Sequence, residues 1–179
     1  MAWCLAFIVP RSHLHIYNFD RVVTDLGEMD LHGFLDALAK RGTLERLAER
    51  PKEQPGHGSV HLCVPGAWYT FSFATQDPGA SPQEKLDPAR LSSEVLGPVL
   101  GIEDLRTNDR VSFVPGILGI GELEDLVEQG RAAVAFHLRP VDYEELTAVA
   151  DSGGIMPPKS TYIEPKLRSG ITVYSLEDR

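Results

Sequence analysis

Cysteine is scarce in this chain of 179 residues, which contains only Cys4 and Cys63. Two cysteines are too few for the disulfide framework of a small secreted protein, and they suit a reducing cytoplasm. Positive charge is also in short supply, because 17 Lys and Arg face 26 Asp and Glu and give a formal net charge of −9. Nucleic-acid-binding surfaces are usually basic, so we expect no nucleic-acid partner, although a local basic pocket is compatible with this balance.

Long hydrophobic runs and targeting signals are missing as well. The apolar stretch Ala2–Val9 has no basic region before it, and Pro10 and Arg11 end it. A membrane span needs about 18 apolar residues, so we expect no membrane partner and a cytoplasmic location. The segment Trp3–Val9 is instead typical of a strand buried on both faces. A buried strand this close to the first residue is unusual and indicates that upstream sequence is missing.

The distribution of apolar residues predicts an α+β chain, with a mixed β-sheet and packed helices. Hairpins dominate the N-terminal part, and alternating helices and strands follow them. We expect a subdomain of hairpins and a helix over residues 1–75, a linker or long loop over 76–88, and an α/β subdomain over 89–179, or one continuous domain. The elements predicted before the linker are strands Trp3–Val9, Leu14–Phe19, Val60–Val64 and Trp68–Phe73, and a helix from an Asp30 cap to about Glu49.

Helices and strands alternate after the linker. The spacing of Leu91, Val95 and Leu96 predicts a helix from Pro88 to about Leu100. Asp142, with Glu145 three residues later, predicts an N-terminal capping box for a helix that ends near Asp151. The other elements predicted here are a helix over Gly121–Gln129 and strands over Val111–Val114, Ala132–Leu138 and Ile171–Tyr174.

The segment Met156–Lys166, with the sequence MPPKSTYIEPK, is the strongest candidate for a functional site. Its three prolines exclude an ordinary helix or a central strand, so it is expected to be a stiff loop. Lysine offers a point charge and hydroxyls offer neutral donors, which together suit a phosphate or carboxylate. The candidate anion-binding residues are Lys159, Ser160, Thr161, Lys166 and Arg168. The alternative is a rigid connection whose hydroxyls bond the local backbone and whose basic residues are only solvated.

The same region almost fits a P-loop, but Pro158 stands where the pattern requires glycine. A P-loop points successive backbone N–H groups at phosphate oxygens, and proline has none. The predicted context also differs, because a helix precedes this loop where a P-loop follows a strand. We therefore reject a P-loop.

Two further groups of polar residues need an interpretation. Arg106, Asp109 and Arg110 form a second candidate cluster, for which a solvated turn is the alternative. Histidines recur near the two predicted hairpins, but no spacing of Asp, Glu or Cys completes a known zinc pattern, so we predict no metal site. These histidines are His13, His15, His57 and His61.

Several runs, spread over nearly the whole chain, carry a resemblance to a known family. They are Leu96–Asp104, Arg106–Thr107, Phe113–Gly116, Ala132–Phe136, Val149–Gly153, Met156–Thr161 and Pro165–Gly170, with Leu14–Asn18 and Arg21–Leu26 before them. Together they resemble a prokaryotic family known as "domain of unknown function 1015". Members of that family are about twice as long. Their N-terminal half carries an Asp-Gly-His-His-Arg motif resembling the ParB and sulfiredoxin nucleotide-binding fold, which also hosts free-serine kinases. No two of the six histidines are adjacent here, so the chain resembles the C-terminal half alone.

This resemblance implies the C-terminal half of a small-molecule phosphotransferase, in the manner of a free-serine kinase. The MPPKST loop would then bind the phosphate or the anionic substrate, and ATP or ADP with Mg²⁺ would bind only together with the other half. The partners expected are a small anionic metabolite and either a separate N-terminal half or a second copy of this chain. The alternative is a non-catalytic domain that binds an anionic metabolite or another protein.

Overall fold

The structure, a computed structural model, describes residues 6–166 and Gly170. Its strands are β1 His15–Tyr17, β2 Phe19–Val23, β3 Gly42–Arg46, β4 Ser59–Val64, β5 Ala67–Phe73, β6 Val111–Pro115, β7 Val134–His137 and β8 Tyr162–Glu164. Its α-helices are α1 Leu31–Ala39, α2 Asp87–Arg90, α3 Gly97–Leu100, α4 Gly121–Glu128 and α5 Tyr143–Asp151. A π-helix over Leu91–Leu96 joins α2 to α3, and 3₁₀ turns lie at Arg11–His13 and Gly116–Leu118. Within the described residues, no helix is long and apolar enough to cross a membrane.

Six strands form one sheet in the order β3-β5-β4-β7-β2-β6, and β1 pairs with β8 in a separate ribbon. The predicted α+β class is confirmed. A mixed sheet was expected, but each of its pairings is antiparallel. Strands β6 and β7, which α4 connects, do run parallel to each other, as helix–strand alternation favours. They do not pair, because β2 lies between them and runs antiparallel to both.

The two faces of the sheet bury different cores, because successive side chains of a strand point to opposite faces. In β4, Val60, Leu62 and Val64 belong to the larger core, which the helical run 87–100 and α1 cover. Cys63 points to the other face, where Leu123 and Val127 of α4 cover it. The larger core also contains Phe34, Leu38, Phe71, Leu91, Val95 and Phe136.

Several local predictions are confirmed. Strands β4 and β5 form the predicted hairpin, and helices occupy 87–100 and 121–128. Asp142 caps α5, with its side chain accepting from the Glu145 N–H at 2.8 Å, while the Glu145 side chain accepts from the Asp142 N–H at 2.9 Å. The six-stranded sheet takes strands from both sides of the 76–88 segment, since β6 and β7 flank β2.

Two local predictions are wrong. The first helix ends at Ala39, well before Glu49, and the next residues form β3 on the edge of the sheet. Gly42 permits β3 to approach β5 closely, because a Cβ at this position would lie 2.2 Å from the Ser72 carbonyl oxygen. The predicted N-terminal hairpin does not form in the described part, where residues 6–9 are not a strand and β1 pairs with β8. Residues 3–5 and the predicted strand Ile171–Tyr174 lie outside the described residues.

Candidate functional site

The MPPKST loop runs from the end of α5 to β8 and is fixed at both ends. The Ile155 N–H donates to the Gln83 side chain at 3.3 Å, and β8 pairs with β1. Ser160 is buried, and its hydroxyl donates to the Pro157 carbonyl. In this arrangement the Ser160 hydroxyl holds the loop in shape, as serine hydroxyls often do.

The basic residues of the loop lie over aromatic rings. Lys159 is exposed, and its Nζ lies 5.2 Å from the centre of the Phe19 ring. Lys166 is exposed too, with its Nζ 3.6 Å from the centre of the Tyr162 ring. The one lysine that forms an ion pair with a carboxylate among the described residues is Lys52, with Glu49. Thr161 is half-buried, and Arg168 lies outside the described residues.

A buried arginine lies directly beneath the loop. Arg21 of β2 is fully buried (0% exposed), and its register neighbours on the flanking strands are Phe113 and Phe136. Its Nη2 donates to the Pro158 carbonyl at 3.2 Å, and its Nη1 donates to the Phe19 carbonyl. Its Nε has no hydrogen-bond partner. The MPPKST loop is therefore docked on a guanidinium through one backbone carbonyl.

The charge on Arg21 is not balanced by an ion pair. Arg90 and Arg139, the other largely buried arginines, lie 2.7 Å from Glu94 and 2.9 Å from Asp87 respectively. Arg21 has no such carboxylate among the described residues, since Asp20 points to the opposite face of the sheet. Burial lowers the pKa of Arg21 to about 10, although Asp20 raises it. Buried charges are normally paired, which makes Arg21 a functional candidate.

A groove of about 660 Å³ adjoins the loop on its other side. Its walls are Met156, Pro157 and Pro158 from the loop, Ser92 and Ser93 from the π-helix, and residues 103–106. This volume is in the range of small-molecule sites. π-helical turns are rare and frequently occur at functional sites, which agrees with this position.

The second predicted cluster is divided in the structure. Arg106 lines the groove and lies 3.2 Å from Asp104, with both side chains largely exposed. Arg110 instead donates to Asp25 at 2.8 Å and to the Leu100 carbonyl, and Asp109 is exposed. Of the three residues, only Arg106 is placed beside the MPPKST loop.

A row of polar side chains crosses the second face of the sheet. Both Asp20 carboxylate oxygens lie 3.1–3.2 Å from His137 Nδ1, and the Leu138 N–H and the Asn18 amide also donate to Asp20. The His137 ring stacks on His61 with 6.3 Å between centroids, and His61 Nδ1 lies 3.0 Å from the Thr70 hydroxyl. Burial, and then the neighbouring His137, lower the pKa of His61.

A second ionic cluster lies beside a cavity of about 560 Å³. Arg139 lies 2.9 Å from Asp87 and also donates to Glu145, whose carboxylate is 2.9 Å from His57 Nε2. Burial raises the pKa of Asp87, against the opposing effect of Arg139. Burial alone would lower the pKa of Arg139, but Glu145 and Asp87 outweigh it and raise that pKa. The carboxylates of this cluster are therefore already paired.

The described residues contain no group of three or more His, Cys, Asp or Glu side chains that could hold a metal ion. The histidines near the predicted hairpins are accordingly dispersed. His57 and His61 belong to the two networks above, whereas His13, in the first 3₁₀ turn, and His15, in β1, are exposed.

Comparison with known proteins shows the fold. No family model matches the sequence, and no curated protein matches it. A mutant free serine kinase in complex with AMP has a TM-score of 0.50 and 14% identity, with 86% of this chain and 55% of that chain covered. A conserved hypothetical protein from Pyrococcus furiosus has a TM-score of 0.51 and 12% identity, with 85% and 56% covered. This chain thus shares a fold with a free serine kinase. It spans little more than half of the length of these structures.

Sequence reasoning did not find Arg21 or the π-helix as parts of the site. Arg21 lies next to Asp20 in β2, and two adjacent charged residues in a short segment give no signal that either is buried. The alternation of β2 does place Arg21 on the same face as Phe19 and Val23, which is the face of the larger core.

Proposed function

We propose that this chain is part of a small-molecule phosphotransferase of the free-serine-kinase type, and that the MPPKST loop binds the anionic group of its substrate. The observation that carries this proposal is the concentration of unpaired positive charge at the loop. Lys159 and Lys166 are exposed on it, and Arg21 lies beneath it with no carboxylate partner among the described residues. The adjoining groove is large enough for an amino acid or a phosphorylated amino acid.

The shared fold supports the same proposal. The similar solved structure is described as a free serine kinase in complex with AMP, and this chain covers 55% of it. We infer that the chain corresponds to the C-terminal half of the "domain of unknown function 1015" family. In this proposal the nucleotide, with Mg²⁺, contacts mainly the other half of the protein. The chain described here holds the substrate.

A ligand screen by thermal unfolding tests the proposal. Serine, phosphoserine, inorganic phosphate, ADP and Mg-ATP are added to the wild type, to Lys159→Ala and to Lys40→Ala. A ligand that binds only the native state raises Tm with its concentration, by about 2.7 kcal/mol of added stability at a hundredfold excess over Kd. We expect phosphoserine to exceed phosphate and Lys159→Ala to weaken both effects.

Lys40→Ala is the matched control, because Lys40 is an exposed lysine at the end of α1. An equal loss in both lysine variants would show only a general effect of net charge. A wild type whose Tm responds to no anion would refute anion binding by this chain.

A role as a protein-interaction domain is the second candidate, and exposed apolar side chains favour it. Phe7 and Ile8 near the N-terminus are 53% and 89% exposed, and Ile117 and Leu118 after β6 are 49% and 60% exposed. Exposed apolar side chains mark a contact surface when they form a contiguous patch. The proposed partner is a separate N-terminal half or a second copy of the chain. Light scattering on the wild type and on Ile8→Asp with Leu118→Asp distinguishes a self-associating protein from one that needs another partner.

A further inference from the structure

Arg21 is buried with no carboxylate in contact with its guanidinium in the described structure, and Asp20 offsets its charge only in part. Its guanidinium lies 5.4 Å from the Phe113 ring, its two terminal nitrogens donate to neutral carbonyls, and Nε donates to nothing. Removing a charged group from water costs several kcal/mol unless an opposite charge and hydrogen bonds compensate for it. The residues opposite Arg21 on the two flanking strands are phenylalanines, so an apolar side chain would pack here without the cost of burying a charge. The arrangement therefore suits a site whose compensating charge arrives with a ligand.

Pro158 contacts both Arg21 and the groove. The Pro158 carbonyl accepts from Arg21 Nη2 at 3.2 Å, and Pro158 is also part of the groove wall. This carbonyl oxygen occupies Nη2, so an anion that binds Arg21 has to replace it. Displacement of the Pro158 carbonyl would leave Nη2 and Nε free to form the paired hydrogen bonds that arginine makes with phosphate or carboxylate.

The backbone at the next residue indicates how the carbonyl could move. Lys159 has φ of +51°, in the left-handed region that costs a residue with a side chain about 1 kcal/mol or more. A flip of the Pro158–Lys159 peptide changes ψ of Pro158 and φ of Lys159 by about 180° each, and leaves the proline φ where its ring holds it. The φ of Lys159 then becomes negative, the carbonyl points away from Arg21, and the Lys159 N–H takes its place.

We propose that Arg21 is the receptor for the acidic group of the ligand, and that the Pro158–Lys159 peptide is the gate that covers it. This inference rests on the proposed anion-binding role of the loop and identifies where the anion binds. The ligand class is a small phosphate or carboxylate compound. Lys159 acts twice, through its ammonium group at the rim and through its backbone N–H after the flip.

The experiment measures anion binding by calorimetry and thermal unfolding in four proteins. Inorganic phosphate, phosphoserine, serine and acetate are added to the wild type, Arg21→Met, Lys159→Ala and Lys159→Gly. We expect Arg21→Met to lose at least tenfold in affinity. Comparing the affinities for phosphate and phosphoserine distinguishes a site for the free anion from one for a phosphorylated metabolite. The affinities for acetate and serine show whether the site binds a carboxylate.

The two Lys159 variants test the gate. Both remove the ammonium group, but only Lys159→Gly also relieves the strain of the positive φ at this position. Glycine adopts positive φ without strain, so Lys159→Gly stabilises the closed peptide by about 1 kcal/mol relative to Lys159→Ala. We therefore expect Lys159→Gly to bind the anion about fivefold more weakly than Lys159→Ala, and equal affinities would overturn the gate.

A measurement on the wild type avoids dependence on the folding of Arg21→Met. The Nε–H resonance of Arg21 is expected to shift and to gain protection from exchange when phosphate binds. An unchanged Nε–H resonance, or an Arg21→Met variant with wild-type affinity, would overturn Arg21 as the receptor. If Lys159→Ala alone lost affinity, the proposed function would stand and this inference would fall. If the wild type bound no anion, both would fall.

Discussion

Replacement of Asp20 gives a sharp test of the polar row on the second face of the sheet. Asp20 is 1% exposed and accepts from three donors: the Leu138 N–H at 3.0 Å, His137 Nδ1 at 3.1 Å and the Asn18 amide. Asp20→Ala leaves these donors without an acceptor, and each buried unsatisfied group costs about 1–3 kcal/mol. Water can enter the space left by the side chain and bond some of these donors. We therefore expect the free energy of unfolding to fall by an amount near the low end of the summed cost, about 3–5 kcal/mol.

Asp20→Asn separates charge from shape. The amide keeps one acceptor oxygen but turns an NH₂ group toward donors, so we expect the free energy of unfolding to fall by about 2 kcal/mol. The assay is urea unfolding at pH 7.5, where a change in midpoint at constant slope reports stability. Asp109→Asn is the matched control, because Asp109 is exposed, and it should change stability by less than about 0.5 kcal/mol. Asp20→Asn with wild-type stability would refute the view that this carboxylate organises the row.

Two further predictions concern acidification and the edge strand. Burial and His137 lower the pKa of His61, so the unfolded chain takes up a proton more readily, and stability should fall as pH drops below about 6.5. Urea unfolding at pH 7.5 and 5.5 should show a smaller fall for His61→Phe than for the wild type, and equal falls would exclude this origin. Gly42→Ala should cost at least about 2 kcal/mol in the same assay, because its Cβ would lie 2.2 Å from the Ser72 carbonyl oxygen. Gly121→Ala, whose Cβ meets nothing closer than 3.9 Å, should keep wild-type stability, and a similar loss at both positions would contradict the steric explanation.

The elements predicted correctly from the sequence are those whose signals are local. The Pro65-Gly66 turn lies between two alternating strands, and the Asp142–Glu145 box reports a helix start within four residues. The N-cap at Asp30 was predicted for the same reason, and its carboxylate accepts from the Gly33 N–H at 2.7 Å. Signals of this kind depend on neighbours in the chain, so tertiary contacts do not override them here.

The elements that were missed depend on distant contacts. Residues 42–46 carry helix-compatible Leu, Glu and Arg, but their pairing with β5 makes them a strand. The ribbon of β1 and β8 joins segments about 150 residues apart, which no local pattern indicates. For the site, composition indicated the MPPKST loop as an anion candidate. It could not indicate Arg21, because the loop and Arg21 meet only once β8 has paired with β1 and β2 lies in the sheet.

The position of β2 has a consequence for how the chain reaches this structure. Residues 19–23 leave the ribosome before both of their partners, β6 and β7, which lie about 90 or more residues later in the chain. Until β6 has been synthesised β2 has neither neighbour, and until β7 has been synthesised its second edge is unpaired and Arg21 lacks one of its two flanking strands. Pairing across such separations slows folding. The polypeptide cut within the 76–88 loop should therefore yield two fragments that fold only together, since one fragment holds the strand that fills the gap in the other.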